Sequence, residues 1–116
     1  AAATAVDETD EGSAGMAPEA LSRQQIDDAL DGLPGWQADG DTLIRRFTFS
    51  GHLPAAAMVV HVAAIQEELN HHAEQTLGYN SLRVAVNTHS AGGRITALDI
   101  ALARRITEIA AGHGAS

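Results

Sequence analysis

The sequence predicts an α+β domain in which helices pack on one face of an antiparallel sheet. Two observations carry this prediction: apolar residues recur at helical spacing in three segments, and three other segments have the pattern of strands. Their order is helix, strand, strand, helix, strand, helix, with no internal repeat. Because strands do not alternate regularly with helices, an antiparallel sheet is favoured over a parallel one.

A capping box and a turn define the first half of the domain. Ser22 is followed three residues later by Gln25, and apolar residues then recur at helical spacing as far as Leu33. We expect Pro34-Gly35 to end this helix. Residues 36–39 and 42–49 are extended and flank an Asp-Gly-Asp turn, so they predict a hairpin.

A long helix, a strand and a last helix follow. The long helix begins near Pro54, ends at about Asn70 and buries one apolar stripe: Met58, Val62, Ile65 and Leu69. A loop centred on Gly78 leads to a predicted strand over residues 81–89, in which one face is apolar and the other is more exposed to solvent. Thr96 and Asp99 match a second capping box. The last helix is predicted to bury Leu98, Leu102, Ile106 and Ile109.

Composition narrows the classes of function. The 116 residues carry 7 Lys and Arg against 15 Asp and Glu, a formal charge of −8, and lysine is absent. We therefore expect no nucleic-acid partner, since affinity for the phosphate backbone needs clustered Lys and Arg side chains. Cysteine is absent too, which excludes thiolate chemistry. The longest apolar run, residues 53–65, is shorter than the roughly 20 residues that cross a bilayer, so we expect no membrane partner and a cytoplasmic location.

The N-terminal stretch differs from the rest of the chain. Residues 1–20 hold five acidic side chains and no basic one, with few bulky apolar groups. Such a segment buries too little apolar surface to offset the entropy of ordering it. We predict a disordered acidic tail over residues 1–20 and a folded domain over residues 21–112. A docking arm is the alternative interpretation of the tail.

Three histidines are the strongest candidates for chemistry. His71 and His72 follow the long helix, and His89 ends the next predicted strand. Imidazole titrates near neutral pH, so two histidines on opposite sides of a substrate can act as acid and base. Solvated surface histidines are the structural alternative, and a three-histidine metal site is a further one. The spacing does not match a known zinc motif, so we predict no metal.

Other polar residues near these histidines have structural explanations. Glu67 and Glu68 lie within reach of the pair, although exposed helix charges explain them and Glu74 equally well. Asp99 is explained better as the capping partner of Thr96 than as a catalytic group. His61, on the long helix, is expected to be partly buried with one hydrogen bond.

The sequence also resembles the pterin-4a-carbinolamine dehydratases. The likeness covers residues 20–110 and rests on the histidine pair, the later Thr-His and the intervening Tyr79-Asn80. The segments that carry it are residues 33–36, 67–74, 79–80, 84–89, 91–93 and 99–103. The resemblance implies a four-stranded antiparallel sheet with helices on one face, assembled as a dimer or tetramer. It also implies dehydration of 4a-hydroxytetrahydropterin to quinonoid dihydropterin, in tetrahydropterin recycling for aromatic amino acid hydroxylases, without a metal or organic cofactor.

The resemblance assigns roles to individual residues. His71 and His89 would be acid and base, in an order left open, and His72 would hold the substrate. Glu67, Asn70 and Thr88 would support substrate binding.

Two departures from the family pattern bear on activity. Ala73 stands where proline is frequent, which would loosen the loop, and Gln75 stands where many relatives have an aromatic on which a pterin could stack. A noncatalytic protein-binding or assembly factor on the same fold is therefore the alternative function. We also predict a homo-oligomer, because the last helix has extra small apolar positions: Ala101, Ala103 and Ala110.

Overall fold

The computed structural model describes residues 18–116 and contains a four-stranded sheet covered by helices. The elements are α1 (Arg23–Leu30), β1 (Gln37–Asp39), β2 (Thr42–Thr48), α2 (His52–Leu69), β3 (Glu74–Leu77), β4 (Ser81–Val86) and α3 (Ala97–Ala110). All strand pairs are antiparallel, in the order β1-β2-β4-β3. The α+β class and the four-stranded sheet are confirmed. The predicted tail lies outside the described residues except for residues 18–20.

The sheet has one covered face and one open face. The core-facing apolar residues of β2 and β4 are almost fully buried, whereas residues on the other face stay accessible. These buried residues are Leu43, Phe47, Leu82, Val84 and Val86. The covered face packs against apolar side chains of α2 and α3, including Met58, Val62, Leu102 and Ile106. Helices therefore cover one face, and the opposite face is open.

The fourth strand, β3, is the element that the sequence pattern missed. Residues 74–77 fall in the segment predicted as a loop, but they pair with β4 from Glu74↔Ala85 to Leu77↔Leu82. The strand is short, lies at an edge of the sheet and shows no alternation of buried and exposed positions. Strand pairing with β4, which no local pattern records, stabilises it.

The helix ends agree with the predicted caps but not with every predicted boundary. Both capping boxes, at Ser22 and at Thr96, are present, and Asn70 caps α2 in the left-handed region with φ 52°. However, α1 ends at Leu30, before Pro34-Gly35, and Leu33 is buried beyond the helix. This boundary prediction was wrong because Leu33 reaches the core from the connecting turn.

The buried face of α3 is rotated from the predicted stripe. Leu98 is exposed, and the core side of the helix consists of Asp99, Ile100, Leu102, Ala103, Ile106 and Ala110. Two of the three alanines that suggested self-association therefore lie in the protein's own core, and only Ala101 is exposed. The argument for an oligomer from these alanines was wrong.

Candidate active site

A buried carboxylate, Asp99, organises the end of the sheet where β4 finishes. Its side chain is fully buried, and Oδ2 accepts hydrogen bonds from the Thr96 backbone N–H and the Thr88 hydroxyl, both at 2.8 Å. Oδ1 lies 2.6 Å from Nε2 of His71. Asp99 thus joins the start of α3, the second residue after β4 and the loop after α2 at a single point.

This network determines how His71 is presented. The carboxylate of Asp99 accepts on both oxygens, so Nε2 of His71 carries the hydrogen that it donates. A buried acceptor of this kind fixes the tautomer and the orientation of the ring. Nδ1 is then the ring atom of His71 that can take or deliver a proton. The side chain is only 11% exposed.

His72 lies in a different environment. Its Nε2 is 2.6 Å from Oε2 of Glu67, but the two side chains are 51% and 77% exposed. Exposed pairs of this kind contribute little to stability. Glu67, predicted to support the histidine pair and the substrate, therefore contacts His72 rather than His71.

The loop that carries both histidines is tied to α2 by Gln66. This side chain is buried, and its Oε1 accepts a hydrogen bond from the Ala73 backbone N–H at 2.9 Å. The backbone N–H of His71 donates to the Gln66 carbonyl at 3.1 Å. Proline at position 73 has no N–H, so alanine here allows a bond that proline cannot form. Gln66 was not among the predicted site residues; its sequence signal is a polar residue adjoining the apolar stripe of α2.

His89 is exposed and begins a short 3₁₀ turn, His89–Ala91, directly after Thr88. The backbone of Thr88 is fixed by three hydrogen bonds: its N–H donates to the Arg94 carbonyl, and its carbonyl accepts from the Ala91 and Gly93 N–H groups. The strand ends at Val86, earlier than predicted. The Thr88 hydroxyl donates to Asp99 and so anchors the residue before His89. Substrate binding by Thr88 stays a prediction. Convergence of all three imidazoles on one small molecule stays a prediction.

Glu68 and His61, the other candidate residues near the histidine pair, make contacts elsewhere. Glu68 forms a two-pronged ion pair with Arg105 of α3, at 2.7 and 3.1 Å, and this guanidinium holds the pKa of Glu68 below its ordinary value. His61 is exposed rather than partly buried, and its Nδ1 lies 2.8 Å from Nε2 of His113. Within residues 18–116, no three His, Cys, Asp or Glu side chains are arranged to hold a metal ion.

Gln75 faces the helices rather than the open face of the sheet. It pairs with the buried Val84, and its Nε2 donates to the Val59 carbonyl of α2 at 3.2 Å. An aromatic side chain at this position would pack against α2. The expected effect of Gln75 on pterin stacking is therefore not supported by where its side chain lies.

A polar groove of about 420 Å³ runs across the open face beside His72. All four strands contribute to its lining, together with His72, which precedes β3, and Asn87, which follows β4. The strand residues are Asp39, Thr42, Ile44, Glu74, Arg83 and Ala85. The histidine loop precedes β3 and the Thr88 turn follows β4, so the groove and the candidate site share one end of the sheet.

The fold and the site define a small α+β protein with a histidine site, held by a buried aspartate, next to a polar groove. Residues 19–109 match the sequence model of the family described as pterin 4 alpha carbinolamine dehydratase. The chain belongs to this family. No helix among residues 18–116 has the length and apolar character needed to cross a membrane.

Individual relatives agree with this membership. A Streptomyces avermitilis protein, whose name assigns it provisionally to the pterin-4-alpha-carbinolamine dehydratases, is 54% identical over 87% of this chain and 100% of its own length. A provisionally named relative from Thermomicrobium roseum is 43% identical over 74% of this chain and 97% of its own.

Two solved structures share the fold. A Brucella melitensis protein titled transcriptional coactivator/pterin dehydratase has a TM-score of 0.73 and 35% identity, covering 78% of this chain and 97% of its own. A pterin dehydratase-like protein titled a RuBisCO assembly factor of the alpha-carboxysome has a TM-score of 0.52 and 21% identity, covering 64% of this chain and 84% of its own. At that identity, the second likeness supports the fold alone.

Proposed function

We propose that this protein dehydrates a 4a-hydroxytetrahydropterin to the quinonoid dihydropterin. The observation that carries the proposal is the 2.6 Å contact between His71 and the buried Asp99, at the sheet end where His72 and the Thr88-His89 turn also lie. Family membership over residues 19–109 supports the same chemistry.

The reaction needs two proton transfers. The 4a hydroxyl leaves as water once it is protonated, and N5 loses its proton as the bond between N5 and C4a becomes double. His71 and His89 serve as acid and base in an order that we leave open, and His72 holds the substrate. Each well-placed acid or base contributes roughly 10²- to 10⁴-fold to the rate. Asp99 keeps the Nδ1 atom of His71 directed away from its own carboxylate.

Single substitutions test the proposal. We expect His71→Ala and His89→Ala each to lower turnover of 4a-hydroxytetrahydropterin by roughly 10²-fold or more. His61→Ala, which removes an exposed histidine of α2, is the matched control and should retain parental turnover. Circular dichroism establishes that each variant is folded. Parental turnover in both His71→Ala and His89→Ala would overturn the proposal.

The biological setting is also proposed. Tetrahydrobiopterin recycling in the cytoplasm, for an aromatic amino acid hydroxylase, is the role that the family resemblance implies. A purified hydroxylase assay that also contains a dihydropteridine reductase and its nicotinamide reductant tests it: adding this protein should raise the rate of tetrahydropterin regeneration, and the His71→Ala variant should not.

A protein-binding role is the second candidate. It is favoured by exposed apolar side chains on the outer side of α2, where Leu53 is 77% and Val60 is 70% exposed.

We propose that this surface supports a homodimer or homotetramer. Sedimentation that shows only monomer at micromolar concentrations would remove the oligomer, and saturable pterin binding would argue against a purely protein-binding function.

A further inference from the structure

The groove on the open face contains two charged side chains whose positions relative to each other are fixed by the sheet. Glu74 of β3 lies opposite Ala85 of β4, and Arg83 lies two residues from Ala85 on the same face. Glu74 and Arg83 are therefore diagonal neighbours, with Cα atoms roughly 7 Å apart. Long side chains at this separation can both reach a flat molecule placed between them.

Neither charge is neutralised within the described part of the chain. Residues 18–116 give the side chains of Glu74 and Arg83 no hydrogen bond and no ion pair with each other or with another residue. The groove thus offers a carboxylate acceptor and a guanidinium donor side by side. Ile44 and Ala85 add apolar surface to its lining.

We propose that Glu74 and Arg83 bind the 2-amino-4-oxopyrimidine edge of the pterin, an inference that rests on the proposed function. That edge presents N–H donors at the 2-amino group and N3 next to an acceptor, O4. A carboxylate complements the two donors, and a guanidinium complements the carbonyl. The pair of side chains therefore matches the edge in both charge and hydrogen-bonding sense.

The position of the pair relative to the histidines supports the same assignment. C4a, the reacting atom, is bonded to C4 of the pyrimidine ring, so this ring must lie close to the catalytic imidazoles. Glu74 is two residues from His72, and both line the groove. Asp39, the other groove carboxylate, is on β1 at the opposite edge of the sheet, three strand spacings or roughly 14 Å away. Asp39 is therefore the matched control carboxylate.

Two stable probes separate recognition of the 2-amino group from general binding. The first is 6-methyl-7,8-dihydropterin, and the second is 6-methyl-7,8-dihydrolumazine, which has oxygen in place of the 2-amino group. Titration of the full chain should give at least tenfold tighter binding of the pterin. Glu74→Gln should weaken binding of the pterin about tenfold. It should not weaken binding of the lumazine, because the amide can still accept from N3–H and can donate to the 2-oxo group. Arg83→Gln should weaken both probes, since both carry O4, and Asp39→Asn should preserve the preference for the 2-amino ring.

The outcomes distinguish this subsite from the proposed function. If Glu74→Gln keeps the preference for the pterin while His71→Ala abolishes turnover, the subsite is wrong and the dehydratase proposal stands. If the wild-type chain saturates with neither probe and does not turn over substrate, both proposals fail. Both positions are exposed strand residues, so we expect Glu74→Gln and Arg83→Gln to fold. Circular dichroism checks this and excludes unfolding as the cause of weaker binding.

Discussion

His71 and His72 are adjacent in the chain but belong to two different regions of the molecule. His71 is directed into a buried network with Asp99, whereas His72 pairs at the surface with Glu67. The first contact lies between elements 28 residues apart, and the second lies within one turn region. The fold therefore sets the orientation of His71, and local geometry sets that of His72.

This difference indicates a division of labour in the candidate site. A ring held by a buried acceptor is pre-organised for proton transfer, because its tautomer and direction do not depend on solvent. A ring in an exposed pair can adjust to a bound molecule. Substitutions in the two regions should consequently separate effects on stability from effects on catalysis.

The largest effect is expected at Asp99. Asp99→Ala leaves the donors of His71, Thr88 and Thr96 without their buried acceptor, so we expect the free energy of unfolding to fall by about 2 to 4 kcal/mol. Urea denaturation measures this loss. Glu108→Gln, an exposed change on the same helix, should alter stability by less than about 0.5 kcal/mol.

Asp99→Asn sharpens the comparison further. An amide that keeps its oxygen toward Thr88 and Thr96 turns its NH₂ group toward His71, so that Nε2 must accept and the ring hydrogen moves to Nδ1. We expect turnover to fall roughly 10²-fold or more while the fold is retained. Nitrogen chemical shifts of the imidazole report the tautomer. An unchanged tautomer with parental turnover would contradict the role of Asp99 in positioning His71.

A smaller effect is expected at Gln66. Gln66→Ala removes the acceptor for the Ala73 N–H and leaves a void in a buried position, so the protein should lose about 1 to 3 kcal/mol of stability. Hydrogen exchange at the Ala73 amide should accelerate. The comparison variant is Gln24→Ala on the exposed side of α1, which should leave that exchange rate unchanged.

The exposed pair should show the opposite pattern from Asp99. We expect Glu67→Gln to change the free energy of unfolding by less than about 0.5 kcal/mol, because both partners are at least half exposed. His72→Ala should likewise retain stability but raise KM more than it lowers kcat, since His72 is proposed to hold substrate. If Glu67→Gln or His72→Ala lost as much stability as Asp99→Ala, the exposed pair would contribute to folding as strongly as the buried network, and the comparison would be wrong.

The smallest effect concerns the ion pair between Glu68 and Arg105. Arg105 lowers the pKa of Glu68 in the folded state, so the pair stabilises the fold above the unfolded-state pKa and loses its effect as pH falls through the lower folded-state pKa. Glu68→Gln should therefore reduce Tm slightly at pH 7, and the difference should vanish at strongly acidic pH. Thermal unfolding from pH 7 down to pH 2 tests this. A difference independent of pH would exclude the ion pair as its cause.

Local patterns predicted much of the framework. The capping boxes at Ser22 and Thr96, the hairpin and the end of α2 at Asn70 each depend on residues close together in the chain. Periodicity also identified the buried stripe of α2. These features were predictable because each contributes its stabilising contact within a few residues.

Other features escaped prediction because their partners are distant. β3 has little strand character without β4, and Leu98 is displaced from the core because tertiary packing selects a different face of α3. Asp99 was correctly expected to cap α3, but its contact with His71 crosses 28 residues. The hydrogen bond from Ala73 to Gln66 likewise depends on how the loop returns to the helix.

The sequence by itself determined the helices with their caps, the hairpin and the presence of three histidines in a family pattern. Only the tertiary structure decided that one of two adjacent imidazoles is held by a buried carboxylate while the other borders an open groove. The reason is physical: local hydrogen bonds and periodicity specify elements, whereas burial and long-range acceptors exist only after those elements have packed together.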